Sequence, residues 1–254
     1  MRTSVKARLI NLAVRATNPS WFVSRGANDD QRRMRRDLLK QFRQIDKQGL
    51  SCHQEKELLF MVNAILLAQP DGPLVECGCF RGGSTAKFSL VARLLGRRLY
   101  VCDSFSGLPP GASEKVTSLG GDQEFQFEGG QYACSQDAVK SAIRQFGAIE
   151  VCEFVPGFFE HSLPALDIRP SFVYMDVDLV SSARDCLRYL WPRLVPGGLF
   201  FTHEAHYREY VLGIADPVFW SETFSAPPPV LFGAGFGCGT GAGSIGYFEK
   251  PPAS

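Results

Sequence analysis

Residues 73–84 read PLVECGCFRGGS, and this stretch decides the fold. The run PLVECG at 73–78 predicts a buried strand, and a glycine-rich turn follows it. Residues 84–95 (STAKFSLVARLL) then show the apolar spacing of a helix, and residues 98–103 (RLYVCD) predict a second strand. This order of strand, turn, helix and strand predicts a βαβ unit with two parallel strands.

The rest of the chain continues the same alternation. Further strands are predicted at 150–155, 171–178 and 198–203, and further helices at 136–146 and 183–194. Short apolar strands that alternate with helices of about ten or more residues predict a parallel sheet covered by helices on both faces. The glycine-rich stretch 232–247 precedes no helical pattern, which favours a loop leading into a last antiparallel strand over a phosphate-binding loop.

The composition excludes several classes of protein. With 254 residues, 45% of them hydrophobic and 21% charged, the chain is predicted to be globular rather than disordered or fibrous. The net charge of +1 lacks the basic excess of a nucleic-acid-binding protein. Residues 58–68 form the longest nearly apolar stretch, too short for the roughly 20 residues of a membrane span. No secretory signal is visible, and the eight cysteines form no CxxC pair, so we expect a cytoplasmic protein with reduced thiols.

The amino-terminal part differs in charge from the rest. Residues 1–47 contain 12 Lys or Arg and 4 Asp or Glu. We therefore divide the chain into a basic helical extension at 1–52 and a main domain at 53–254. Residues 6–16 (KARLINLAVRA) predict a short amphipathic helix that packs on the main domain or forms a homodimer with a second copy. A membrane-surface anchor and a nucleic-acid arm are the alternatives for this helix.

The turn after the first strand has an unusual glycine pattern. An acid, Glu76, stands two residues before Gly78, and the pair Gly82-Gly83 follows four and five residues after it. Because Phe80 occupies the second glycine position of the GxGxxG dinucleotide motif, a nicotinamide oxidoreductase is disfavoured. We expect Gly78 to let the backbone approach a ligand, Gly82 to free the first amides of the next helix, and Glu76 to receive a cationic amino group.

The second strand ends at Asp103, 25 residues after Gly78. A carboxylate at this position can accept hydrogen bonds from both hydroxyls of a ribose. A ligand with an amino-acid end for the glycine turn and a nucleoside end for Asp103 fits both features. S-adenosylmethionine is such a ligand.

Four segments resemble the macrocin O-methyltransferase family: LVECGCFRGGS at 74–84, DSFSGLP at 103–109, GFFEHSLP at 157–164 and MDVDLVSS at 175–182. Known members methylate sugar hydroxyls of macrolide and aminocoumarin antibiotics. The resemblance, over roughly residues 53–205, implies a class I methyltransferase fold. This is a mostly parallel seven-stranded sheet with helices on both faces. It also implies S-adenosylmethionine, a divalent cation (Mg or Mn) and a small-molecule hydroxyl acceptor. The cofactor-binding residues it implies are Glu76, Gly78, Gly82, Ser84, Asp103, Ser104, Gly157, Phe158 and Asp176.

The family motif D-x-D-L-Y-x-S assigns a metal ligand to Asp176 and a general base to Asp178. The second part of the family metal site is an Asp-Asp pair, and this sequence has His203-Glu204 in its place. It also has Val180 where the motif has tyrosine. A set of Asp176, His203 and Glu204 suits manganese, iron or zinc better than magnesium, because magnesium seldom accepts imidazole.

Other interpretations of this region remain open. The chain could lack a metal and use His203 as the base, which suits a phenol acceptor better than a sugar. It could also bind the cofactor without turnover, as an inactive scaffold or interaction protein. His206 could also join this site, but it is interpreted as a helix-start residue, and His53 and His161 are interpreted as ordinary surface or packing residues.

Overall fold

The computed structural model describes residues 19–67, 70–234 and 243–252. Its helices are α1 (Ser20–Ser24), α2 (Asp29–Asp46), α3 (Glu55–Leu67), α4 (Gly83–Leu94), α5 (Gln136–Phe146), α6 (Phe159–Ser162), α7 (Val180–Leu190), α8 (Arg208–Ile214) and α9 (Pro217–Phe224). Its strands are β1 (Leu74–Cys77), β2 (Leu99–Asp103), β3 (Ser113–Thr117), β4 (Glu124–Glu128), β5 (Cys152–Pro156), β6 (Phe172–Met175), β7 (Leu199–Thr202) and β8 (Gly246–Glu249).

The main sheet has the order β5-β2-β1-β6-β7-β8. All neighbouring pairs are parallel except β7 and β8, and Leu74 of β1 lies opposite both Leu99 and Phe172. The predicted α/β class I fold is confirmed. Within the described residues the sheet has six strands, where seven were expected, because β8 is the only strand beyond β7 at that side of the sheet. The strand order reverses between β1 and β6, and ligands of open α/β sheets bind beyond the carboxyl ends of strands at such a point.

The central strands are buried along their whole length because helices cover both faces of the sheet. Every residue of β1 (LVEC), β6 (FVYM) and β7 (LFFT) is buried. Successive side chains point to opposite faces, so Leu74 packs in the core below α2 to α5, and Val75 packs in the core below α7 to α9. The strands are thereby fixed in register, and their carboxyl ends form one edge.

The amino-terminal helices share the core of the sheet. Asn28 caps α2 by accepting a hydrogen bond from Gln31 N, and Phe42 and Ile45 of α2 are buried in the same cluster as Leu58 of α3. The proposed boundary at residue 52 lies in the segment between these two helices. The predicted amphipathic helix at 6–16, with its proposed role in a homodimer, lies outside the described residues.

A buried ion pair joins α2 to α4. The Lys87 side chain is completely buried, and its ammonium contacts the partly exposed carboxylate of Asp46. We expect Asp46→Asn to lower the free energy of unfolding by about 2–3 kcal/mol, because it leaves a buried charge without its partner. Urea denaturation measures the effect. Asp37→Asn, which disrupts an exposed pair with Lys40, should change stability by less than about 0.5 kcal/mol. An equal loss of stability in the two variants would contradict a stabilising role for the Lys87–Asp46 pair.

Two features were not predicted from the sequence. Strands β3 and β4 form a separate antiparallel hairpin, and α8 and α9 follow β7. The stretch EFQFE at 124–128 does carry the alternation of polar and apolar residues that predicts a strand, and Gly120-Gly121 precedes it as a turn signal. None of the described helices is long and apolar enough to cross a bilayer.

Candidate active site

A cavity of about 410 Å³ lies beyond the carboxyl ends of β1, β2, β6 and β7. Gly78, Asp103, Asp176 and His203 each follow or end one of these strands, and all four line the cavity. The point where the strand order reverses therefore coincides with the concave surface, as expected for a ligand site in this architecture.

Asp103 is held in a fixed orientation at one side of the cavity. Its Oδ2 accepts a hydrogen bond from Cys79 N and its Oδ1 accepts one from Phe105 N, both at 2.7 Å. Each carboxylate oxygen can accept a further hydrogen bond. The group is thus preorganised by the backbone and can receive a pair of ribose hydroxyls.

The predicted cofactor residues divide into two groups. Those that line the cavity are Gly78, Ser84, Asp103, Ser104, Phe158 and Asp176, and those that do not are Glu76, Gly82 and Gly157. Glu76 is fully buried below the turn, where burial raises the pKa of its carboxyl to about 8. Gly82 takes a left-handed conformation at the start of α4, and a Cβ there would lie 3.1 Å from Val139 of α5.

Gly78 has a structural role that differs from the sequence interpretation. It adopts φ +86°, and a Cβ at this position would lie 1.8 Å from the carbonyl oxygen of Asp176. The absence of a side chain is therefore required for the close approach of the turn to the end of β6, in addition to any approach of a ligand. A larger residue at 78 would disturb the sheet itself.

Carboxylates and imidazoles converge beyond β6 and β7. His203 Nδ1 lies 3.3 Å from Asp176 Oδ1 and 3.5 Å from Glu204 Oε1. Glu204 is almost fully buried, and its Oε1 has no hydrogen bond within the part of the chain that the structure describes. The structure thus brings the three predicted metal ligands close together, with one nitrogen of His203 near both carboxylates.

The interpretation of His53 as an ordinary surface or packing residue is wrong. Its Nε2 lies 2.7 Å from Asp176 Oδ2 and 2.8 Å from the Tyr174 hydroxyl, and its ring is 4.8 Å from the ring of His203. The sequence gives no local signal for this contact, because 123 residues separate His53 from Asp176. His161, in contrast, is exposed and pairs only with its neighbour Glu160 among the described residues.

The charges of the cluster shift the pKa values of its members. Burial raises the pKa of Asp176, but His203 and His53 outweigh this effect and hold it well below its usual value. Burial and the neighbouring carboxylates raise the pKa of Asp178 to about 9, and burial and Asp176 raise that of Glu204 to about 7. Burial lowers the pKa of His203, yet Asp176 and Glu204 bring it well above its usual range. The charge states of Asp176, Asp178, His203 and Glu204 therefore depend on one another.

Asp178, which lines the cavity beside the cluster, has a strained backbone. Its φ of +62° lies in the left-handed region that few residues other than glycine adopt, and strain of this kind is typical of functional sites. Glu114 of the β3–β4 hairpin accepts a hydrogen bond from Val180 N at 2.9 Å, two residues further on. The start of α7, and with it the position of Asp178, is therefore fixed from the hairpin.

Aromatic side chains form part of the cavity wall. This aromatic wall consists of Phe125, Phe127, Tyr132, His206 and Tyr207, all of which line the cavity. Phe125 and Phe127 of the hairpin both contact the Tyr207 ring edge-on, and the His206 ring lies 3.9 Å from it. The wall gives the cavity an apolar side suited to a flat or hydrophobic part of an acceptor.

Comparisons with known proteins show which family the chain resembles. The family model of macrocin O-methyltransferase matches residues 20–210. The 8-demethyl-8-(2,3-dimethoxy-α-L-rhamnosyl)-tetracenomycin-C 4'-O-methyltransferase of Streptomyces olivaceus is 30% identical over 245 residues, which cover 86% of this chain and 91% of that protein. The demethyldecarbamoylnovobiocin O-methyltransferase of Streptomyces niveus is 31% identical over half of each chain.

Solved structures share the fold. The O-methyltransferase NovP superposes with a TM-score of 0.54 at 22% identity, covering 75% of this chain and 76% of its own. The calicheamicin methyltransferase CalS11 gives a TM-score of 0.55 at 14% identity, covering 98% of this chain and 94% of its own.

Proposed function

Because the chain belongs to the macrocin O-methyltransferase family and is an S-adenosylmethionine-dependent methyltransferase, we propose that it methylates a hydroxyl of a natural-product sugar or phenol. One observation carries this proposal: the acid and imidazole cluster opens into the same cavity as Asp103 and the glycine turn. A cofactor anchored at Asp103 and an acceptor placed at the cluster would share one enclosed space, as methyl transfer requires.

When bound, S-adenosylmethionine would supply the methyl group that the acceptor oxygen receives. Asp103 and the turn at Gly78 hold the nucleoside and amino-acid ends, with Ser84, Ser104 and Phe158 beside them. Asp178 lines the cavity next to the cluster and would receive the proton of the acceptor hydroxyl in its ionised form. A cation bound at Asp176 and His203 would favour that form by lowering the Asp178 pKa from about 9. The aromatic wall positions the acceptor and excludes water.

A divalent cation fits this account. The buried Glu204 Oε1 without a hydrogen bond, together with Asp176 and His203, provides oxygen and nitrogen donors for it. A cation there would act as a Lewis acid that lowers the pKa of a weakly acidic sugar hydroxyl. A donor set that contains imidazole favours manganese over magnesium.

The test is a methyl-transfer assay with isotopically labelled S-adenosylmethionine and a panel of glycosylated and phenolic acceptors. We expect label on an acceptor oxygen in at least one member of the panel. Chelator should reduce the rate by more than about tenfold, and manganese should restore it better than magnesium.

The outcomes separate the competing interpretations. Cofactor binding without transfer to any acceptor, with or without metals, would favour the inactive scaffold. Full activity in excess chelator, with no metal in the purified protein, would exclude the cation and leave the methyltransferase proposal standing.

A further inference from the structure

His53 occupies a position that the proposed metal set leaves unexplained. It comes from the segment between α2 and α3, and it contacts the other oxygen of the carboxylate that His203 contacts. Each oxygen of Asp176 thus faces one imidazole nitrogen. The side chain of His53 is almost completely buried, so the contact lies inside the fold rather than on its surface.

We infer that His53 is a ligand of the cation, and that His53, Asp176 and His203 form a site with two imidazoles and one carboxylate. The inference deepens the proposed function and rests on it, because the same cation would activate the acceptor. Its consequence is a preference for manganese, cobalt or zinc over magnesium.

The spacing of the donor atoms agrees with coordination. One donor atom from each of these three side chains lies within 4.8 Å of the others. The individual distances to Asp176 are 2.7 Å from His53 Nε2 and 3.3 Å from His203 Nδ1. Ligand atoms that surround an ion with bonds of about 2.1 Å lie roughly 3 Å apart, so a small adjustment of the side chains would admit the ion.

The other nitrogen of each imidazole faces an oxygen that can accept a hydrogen bond. His53 Nδ1 lies 3.3 Å from the Ser51 hydroxyl, and His203 Nε2 lies 3.9 Å from Glu57 Oε2, a carboxylate that is buried. Histidines that bind metals commonly donate their other N–H to such a group, which fixes the tautomer and the direction of the ring. The Ser51 contact thus favours Nε2 as the nitrogen of His53 that faces the cluster. His203 would have to move toward Glu57 to make the corresponding hydrogen bond, because 3.9 Å exceeds hydrogen-bond distance.

A second observation points to an ion at this centre. Glu204 is nine-tenths buried or more, and its Oε1 has no hydrogen bond among the described residues although it lies 3.5 Å from His203 Nδ1. A buried carboxylate oxygen without a hydrogen bond is costly, and a cation between it and the imidazoles would remove that cost. Glu204 would then supply a further oxygen ligand.

The test measures metal binding rather than activity. Protein freed of metal with chelator is titrated with Mn²⁺, Co²⁺ or Mg²⁺ by calorimetry, and the Co²⁺ form is examined by visible absorption. We expect His53→Gln and His203→Gln each to weaken Mn²⁺ and Co²⁺ binding by at least about tenfold, with a change in the cobalt spectrum. Mg²⁺ binding should weaken by less than about threefold in His53→Gln.

Two control variants separate ligation from packing. His161→Gln replaces an exposed histidine outside the cavity and should leave all three affinities unchanged. Tyr174→Phe removes the hydroxyl that contacts His53 but keeps the imidazole, so it should bind Co²⁺ within about threefold of the unaltered protein.

Three results would overturn the inference: Co²⁺ binding by His53→Gln equal to that of the unaltered protein, an equal loss in Tyr174→Phe, or no Mn²⁺ or Co²⁺ binding by the unaltered protein. A parallel titration with S-adenosylhomocysteine distinguishes these results from failure of the proposed function. The proposed function fails when that ligand does not bind, whereas the inference fails on the metal titration alone.

Discussion

Replacing Asp178 with asparagine should lower kcat by roughly 10²- to 10⁴-fold, the usual contribution of a general base. Asparagine tolerates the left-handed backbone that Asp178 adopts at φ +62°, so the variant should keep its local structure. The affinity for S-adenosylmethionine should change by less than about threefold, because the proposed role concerns the acceptor. Steady-state kinetics with an acceptor identified in the panel, together with a cofactor titration, measure both quantities.

The matched control is Asp167→Asn, which alters an exposed acid before β6, at the opposite end of that strand from the cavity. It should leave kcat unchanged. A normal kcat in Asp178→Asn would remove this residue from the proton transfer and make another group of the cluster the base.

Replacing Asp103 with alanine should weaken S-adenosylhomocysteine binding by roughly 10- to 100-fold, through loss of charge-assisted hydrogen bonds to the ribose of about 1.5–3 kcal/mol. The variant also removes the hydrogen bonds that the amides of Cys79 and Phe105 donate to Asp103. These bonds fix the glycine turn and the segment after β2. Calorimetry gives the dissociation constant, and circular dichroism checks the fold.

The variant Asp103→Asn separates these two effects. It keeps a side-chain oxygen for one of the amides and loses the charge, so we expect an intermediate affinity. Unchanged affinity in both variants would place the nucleoside elsewhere in the cavity.

Local patterns in the sequence were sufficient for the framework of the fold. The runs of β1, β6 and β7 are mostly apolar because these strands are buried on both faces, and the glycine turn after β1 lies at the edge of the sheet that carries the cavity. Residues at or just after the carboxyl ends of the sheet strands, such as Asp103, Asp176 and His203, were therefore expected to lie close together, and they do line one cavity. Their chemical roles remain predictions.

Features that depend on contacts distant in sequence were missed. His53 reaches Asp176 only because α2 and α3 pack on the sheet and bring the segment between them to the carboxyl edge. The β3–β4 hairpin contributes Phe125 and Phe127 to the aromatic wall. The alternation at 124–128 indicates a strand, but it does not indicate that this strand lies beside the cavity. The contact of Gly78 with the Asp176 carbonyl likewise depends on the pairing of β1 with β6.

The most direct test of the central claim is a calorimetric titration of the unaltered protein with S-adenosylhomocysteine, with NADH as the comparison ligand. The account predicts one binding site per chain for S-adenosylhomocysteine, with a dissociation constant on the order of micromolar, about −8 kcal/mol, and no binding of NADH. No heat of binding at millimolar S-adenosylhomocysteine, or binding of NADH in its place, would contradict the account.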